Sequence, residues 1–172
     1  KKNLEIAIKN LNKVLFELNF EILFVDDNSL DGTYEELLRL RKLYPNVNYF
    51  IRKNNIRDLT DSFKYGLNRI ETDYTCVIDC DLQHEIEKIP LMINLLINEK
   101  YDLIIGSRFI GEKNDIKMPF RRLFLSKIGI FFLSLLNLKD IKDPLSGFFL
   151  FRTKKIQSIS EKINTKGFKV LL

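Results

Sequence analysis

Three observations predict an α/β chain with a mostly parallel sheet flanked by helices. Short runs of strand-forming residues alternate with segments of helical period, as expected for a sheet covered on both faces. Each run gives way to a polar, turn-rich stretch: DDNS from Asp26, DCDLQH from Asp79 and GSR from Gly106. With 172 residues and 45% hydrophobic content, the chain is long enough for one such domain, residues 1–172, and too short for two ordinary ones.

Leu4, Ile8, Leu11, Leu15 and Leu18 recur at spacings of four and three, which predicts an amphipathic helix from about Lys2 to Leu18. Glu21 to Val25 (EILFV) is a buried strand. In the acidic turn after it, Thr33 and Glu36 match a capping box for a helix that Pro45 and Asn46 close. Val47 to Ile51 is a second strand. Leu59, Phe63, Leu67 and Ile70 mark the next helix, with Asp58 or Thr60 as its cap. The strand from Tyr74 (YTCVIDCD) precedes a helix carried by Ile86, Ile89, Ile93, Leu96 and Ile97, where Pro90 is tolerated only near the first turn. Asp102 to Ser107 is a further strand. Arg121 to Leu138 is almost wholly aliphatic or phenylalanine with basic residues at its start, which suits either a central packed helix or a helix lying in a bilayer interface. Asp143 to Phe149 (DPLSGFF) is a turn at Pro144 followed by Gly147 and a strand start.

Asp79 and Asp81 are the most informative residues. Side chains two apart on a strand share a face, so both carboxylates are expected to project where the apolar run ends. Such a pair repels unless a cation or donor sits between them. A divalent metal holding a diphosphate is the economical cation, because a hard ion on carboxylates completes its shell with water and phosphate oxygens. Gln83 can add an amide oxygen to that shell. His84, the sole histidine, reads as a cap or packing residue at a helix entrance. Asp26 and Asp27 end a strand where carboxylates can accept from a ribose hydroxyl or a base N–H. Arg108, Arg121, Arg122 and Arg152 are the candidates for phosphate contacts, and Arg122 shares a helix face with Ser126. Asp143 and Ser146 either support their turn or border an acceptor pocket.

A formal charge of +5 and a pI near 9.1 come from scattered lysines without a dense basic block, which argues against nucleic acid and for phosphate-bearing ligands or an anionic membrane surface. Cys76 and Cys80 lie too far apart along an extended chain to bond each other and read as buried thiols of a reducing compartment. No apolar run reaches the roughly 18 residues that a membrane span needs.

Taken in order, VDDNSLDGT, DCDLQH, GSRF, RRLFLS, DPLSGFF and GFKVLL resemble the family 2 glycosyltransferases of dolichol-phosphate mannosyltransferase type. The resemblance implies a GT-A, Rossmann-like fold and inverting transfer of a hexose, mannose by default, from a nucleotide sugar to a polyprenyl or dolichyl phosphate. GDP-mannose is the default donor and UDP-glucose with a bacterial polyprenyl phosphate the alternative. It implies Mg²⁺ or Mn²⁺ on Asp79, Asp81 and Gln83, nucleoside contacts from Asp26 and Asp27, and lipid-phosphate contacts from Arg108, Arg122 and Ser126. Asp143 and Ser146 fall beside the acceptor. An amphipathic acceptor-side helix at about 120–138 would rest on the cytoplasmic face of a membrane. Cys80 stands where the family usually has alanine, and Glu85 and Ile86 where it usually has two prolines. The family's opening strand and its Pro-x-Tyr-Asn-Glu loop are absent and the chain stops at Leu172 where relatives continue, so it is expected to be a fragment with unpaired strand edges.

A signalling receiver domain, with Mg²⁺ on acidic residues of a doubly wound sheet, is the rival reading. It leaves DPLSGFF and the basic apolar segment without a role.

Overall fold

The computed structural model describes residues 1–53, 57–107, 143 and 146–163. The order is α1 (Leu4–Val14), β1 (Ile22–Asp26), α2 (Thr33–Leu43), β2 (Val47–Ile51), α3 (Leu59–Leu67), β3 (Tyr74–Val77), α4 (Ile89–Asn98), β4 (Leu103–Ile105), β5 (Phe149–Arg152) and α5 (Thr153–Ile159). The expected α/β alternation is present, and Pro90 does sit in the first turn of α4. The basic apolar segment 121–138 lies outside the described residues.

The sheet is mixed. β1 and β2 pair in parallel, with Ile22 opposite Val47 and Asp26 opposite Ile51. β5 lies between β3 and β4 and runs antiparallel to both, placing Phe149 beside Val77 on one side and Ile105 on the other. Sequence alternation alone predicts more parallel pairing than this. β5 runs against both of its neighbours, so the handedness rule for parallel units does not govern it. Among the described residues, β1 and β3 are each paired along one edge only.

Period-two alternation in β5 sorts its side chains between two cores. Phe148 and Leu150 join Ile8, Leu37, Leu40, Val47, Met92 and Leu96 in the cluster built with α1, α2 and α4. Phe149 and Phe151 face the other way, onto Leu67 and Phe63 of α3 and Ile156 of α5. A strand walled on both faces has no polar side, which is why FFLF is a continuous apolar run. Burying each of these large side chains contributes about 2–3 kcal/mol.

One expected cap is corrected and another is settled between its two candidates. Thr33 is not a cap: Gly32, with φ of 79°, precedes the helix and Asp31 Oδ1 accepts from both the N–H and the hydroxyl of Thr33. The capping box is replaced by an Asx turn, and Glu36 pairs instead with Arg39 at 2.7 Å. At α3 the cap is Asp58, whose Oδ1 accepts from Asp61 N at 3.1 Å. Among the described residues no helix is long and apolar enough to cross a membrane.

Candidate active site

The register places the loops after β3 and β4 at one edge of their sheet, and the loop after β1 follows the carboxyl end of the parallel pair. β1 ends at Asp26, β3 at Val77 and β4 at Ile105, and the antiparallel β5 begins at that same edge with Gly147 and Phe148 just before it. Ligands of open α/β sheets bind beyond the carboxyl ends of the parallel strands. Two clusters form there.

The first joins the loop after β1 to the start of α3. Asp26 accepts from Ser29 through both oxygens, from the N–H at 2.8 Å and the hydroxyl at 2.5 Å. Asp27 Oδ1 accepts from Arg52 Nη1 at 2.6 Å, and its Oδ2 from the Asp58 N–H at 2.9 Å. The same Arg52 nitrogen reaches Ser62 Oγ at 2.8 Å and the Asp58 carbonyl at 3.1 Å. Arg57 donates to the Asn28 carbonyl at 3.2 Å. The two acids therefore have structural duties: Asp27 pins the β1 loop to the start of α3, Asp26 holds Ser29 within the loop, and each carboxylate oxygen retains a second lone pair for a ligand. Arg52, with its side chain only 3% exposed, is the site residue that sequence reasoning missed. Its one local signal is a basic residue directly after a strand, which is also what an ordinary surface residue shows.

The second cluster surrounds the loop after β3. The strand ends at Val77, so strand alternation does not govern Asp79 and Asp81; a turn does. Leu82 adopts φ of 64°, unusual for a branched residue, and brings the Gln83 N–H to Asp81 Oδ1 at 3.0 Å. Asp79, Asp81 and Gln83 are all exposed at the edge. Asp79 Oδ2 is 3.6 Å from His84 Nε2, too long for a hydrogen bond. Asp143 and Ser146 are buried, at 1% and 4% exposure, and do not line an open surface. Ser146 Oγ donates to the Gly106 carbonyl at 2.7 Å and accepts from the Phe148 N–H at 3.1 Å, stitching the turn before β5 to the end of β4. Asn3, just before α1, donates Nδ2 to the Cys80 carbonyl at 3.1 Å, which ties this loop to the start of α1. Arg108, Arg121, Arg122 and Ser126 lie outside the described residues. Arg152, at the end of β5, donates to the carbonyls of Leu96 and Tyr101, which ties it to α4 and not to these loops.

The cysteines differ from expectation in one respect: Cys80 is exposed in the acidic turn, whereas Cys76 is part-buried in β3. Burial pushes the Cys76 thiol up to about 12 and raises that of Cys80 as well. Because the thiolate is the nucleophile, a maleimide at pH 8 should label Cys80 slowly and Cys76 only after unfolding. Mass spectrometry of the labelled peptides checks this, and early labelling at Cys76 would contradict it.

Glycosyl transferase family 2 matches residues 1–160 of the chain. A dolichol-phosphate mannosyltransferase of Pyrococcus furiosus is 35% identical over 174 residues, covering 100% of this chain and 48% of the relative. Proteins of the same name from Mycosarcoma maydis and Saccharomyces cerevisiae are each 32% identical, covering 90% and 88% of this chain and 51% and 56% of the relatives. The chain thus spans about half the length of these curated relatives. A match that runs through the loops after β1, β3 and β4 and through the turn before β5 leaves the receiver reading without support, and the chain belongs to glycosyl transferase family 2.

Proposed function

We propose that residues 1–172 form a single catalytic domain of an enzyme that transfers a hexose from a nucleotide diphosphate sugar to a polyprenyl or dolichyl phosphate, with inversion. Mannose from GDP-mannose is the donor group. The observation that carries this reading is the 35% identity along the full chain to a protein named dolichol-phosphate mannosyltransferase. The exposed Asp79, Asp81 and Gln83 at the sheet edge support it.

The donor set suits Mg²⁺ or Mn²⁺. Among the described residues no third His, Cys, Asp or Glu joins the acidic pair to complete a protein cage. A hard cation with few protein ligands keeps coordination sites for water and diphosphate oxygens. When bound, such an ion supplies Lewis-acid stabilisation of the departing diphosphate. The chain's own part is to hold two carboxylates and an amide at the donor's diphosphate, while Asp26 and Asp27 present acceptor oxygens to the nucleoside. Arg108, Arg122 and Ser126 hold the acceptor phosphate. A phosphate monoester oxygen is ionised near neutral pH, so it attacks the sugar carbon without a strong general base. What the protein contributes is alignment and charge neutralisation. The segment at 120–138 rests at the membrane surface on the cytoplasmic side, where a lipid-linked phosphate is accessible.

The test is a transfer assay with the full-length protein, Mn²⁺ and a short-chain polyprenyl phosphate, comparing radiolabelled GDP-mannose with UDP-glucose. Label should enter the lipid phase from GDP-mannose. Preferential use of UDP-glucose would reassign the donor, and incorporation from neither would refute the reading. In the same assay, Arg122→Ala is expected to raise KM for the lipid acceptor about tenfold or more while changing KM for the nucleotide sugar little, as removal of a charge-assisted phosphate contact predicts.

A further inference from the structure

The turn before β5 touches the acidic loop at a position that the proposed chemistry leaves without a role. A Cβ on Gly147 would lie 2.1 Å from Asp79 Oδ2 and 2.8 Å from its Cγ. The carboxylate therefore occupies the space that any larger residue would fill with its own side chain. Facing the same oxygen at 3.6 Å is His84 Nε2, a buried atom without a hydrogen-bond partner among the described residues. The imidazole is held from behind by Phe148, with ring centroids 5.3 Å apart and planes at 30°. Phe148 is 4% exposed and its ring fills the space over Gly106, where a Cβ would meet Phe148 Cδ1 at 2.1 Å. Among the described residues no hydrogen bond fixes the Asp79 carboxylate, which is 47% exposed. Packing restricts it, from Gly147 on one side and the Phe148-backed imidazole on another.

We propose that Gly147 and His84 are positioning residues for Asp79: the missing side chain of Gly147 admits the carboxylate, and the wedged imidazole limits its swing. The acidic loop thereby meets a divalent cation with this ligand already directed. The inference rests on the reading of Asp79 and Asp81 as a metal and diphosphate site.

Gly147→Ala separates this role from a structural one. Gly147 is not in the left-handed region, so alanine suits its backbone, and the obstacle is the far end of a flexible side chain that can rotate away. The fold should survive while Asp79 is displaced. The measurement is Mn²⁺ titration of the full-length protein, without donor or acceptor, by electron paramagnetic resonance of the free ion. Affinity should fall about 10- to 100-fold, the range for residues that orient a metal ligand, with a melting temperature within about 4 °C of the parent. In an Asp79→Asn background, Gly147→Ala should add no further loss, because the carboxylate it displaces is gone. His84→Ala frees the other side of Asp79 and should weaken Mn²⁺ binding in the same direction, which keeps the proposal testable if Gly147→Ala misfolds. Wild-type affinity in both variants, or equal losses with and without Asp79, overturns the assignment while leaving the metal reading intact. Unaltered Mn²⁺ binding by Asp81→Asn overturns both.

Discussion

Asp81→Asn is expected to reduce sugar transfer by about 10²- to 10³-fold, the usual consequence of removing one preorganised electrostatic contact from an active site. The residue is exposed, and among the described residues it accepts one hydrogen bond, from the Gln83 N–H at 3.0 Å, inside the turn that Leu82 forces. Asparagine has the same shape and keeps an oxygen for that hydrogen bond. Stability should therefore stay within about 0.5 kcal/mol of the parent, as for other surface substitutions. What disappears is a negative charge at a place where the described residues supply only one other carboxylate, Asp79. The loss should appear in kcat and in the Mn²⁺ dependence together, and removal of metal by a chelator should reproduce it in the parent enzyme. Wild-type turnover by a correctly folded Asp81→Asn enzyme would remove the acidic loop from the mechanism.

Much of what builds this edge is readable from sequence because it is local. The β2 span agrees with its apolar run to the residue, and the Asp58 cap follows from an acidic residue before a helical period. Where the reading departs from the structure, a competing local turn or a partner distant in sequence decides. Thr33 and Glu36 have the spacing of a capping box, yet Asp31 and Gly32 form a competing turn and Arg39 takes the glutamate. The DCD stretch alternates like a strand, but β3 loses its pairing partner after Val77, since β5 begins at Phe149 opposite it. Asp143 and Ser146 look like pocket residues in a turn motif and are buried by the meeting of β4 with β5. Gly147 appears as a turn glycine, and only the fold shows whose carboxylate lies against it. The arginines and serine expected at the acceptor lie outside the described residues.

Arg52→Met should destabilise the protein by about 3 kcal/mol, the lower end of the cost of removing one partner from a buried ion pair. The lower end applies because Asp27 retains 20% exposure and can recover some hydration, whereas the Arg52 side chain is 3% exposed. Methionine replaces the aliphatic volume, so the loss reports the missing guanidinium and not a cavity. Three acceptors lose their donor together: Asp27 Oδ1, Ser62 Oγ and the Asp58 carbonyl. Asp61, 3.6 Å from the other nitrogen and 61% exposed, should contribute little. Arg52→Lys should recover only part of the loss, because one ammonium cannot reproduce the planar fork. Adding Asp27→Asn to Arg52→Met should cost less than the two single changes summed, since the charge left unpaired by the first is removed by the second. Equilibrium urea unfolding of the four proteins measures this coupling. Strict additivity would mean that the pair is incidental. Function should follow stability here: the loop carrying Asp26 and Asp27 is anchored to α3 through Arg52, so the surviving folded fraction should show a raised KM for the nucleotide sugar, with kcat nearer to wild type.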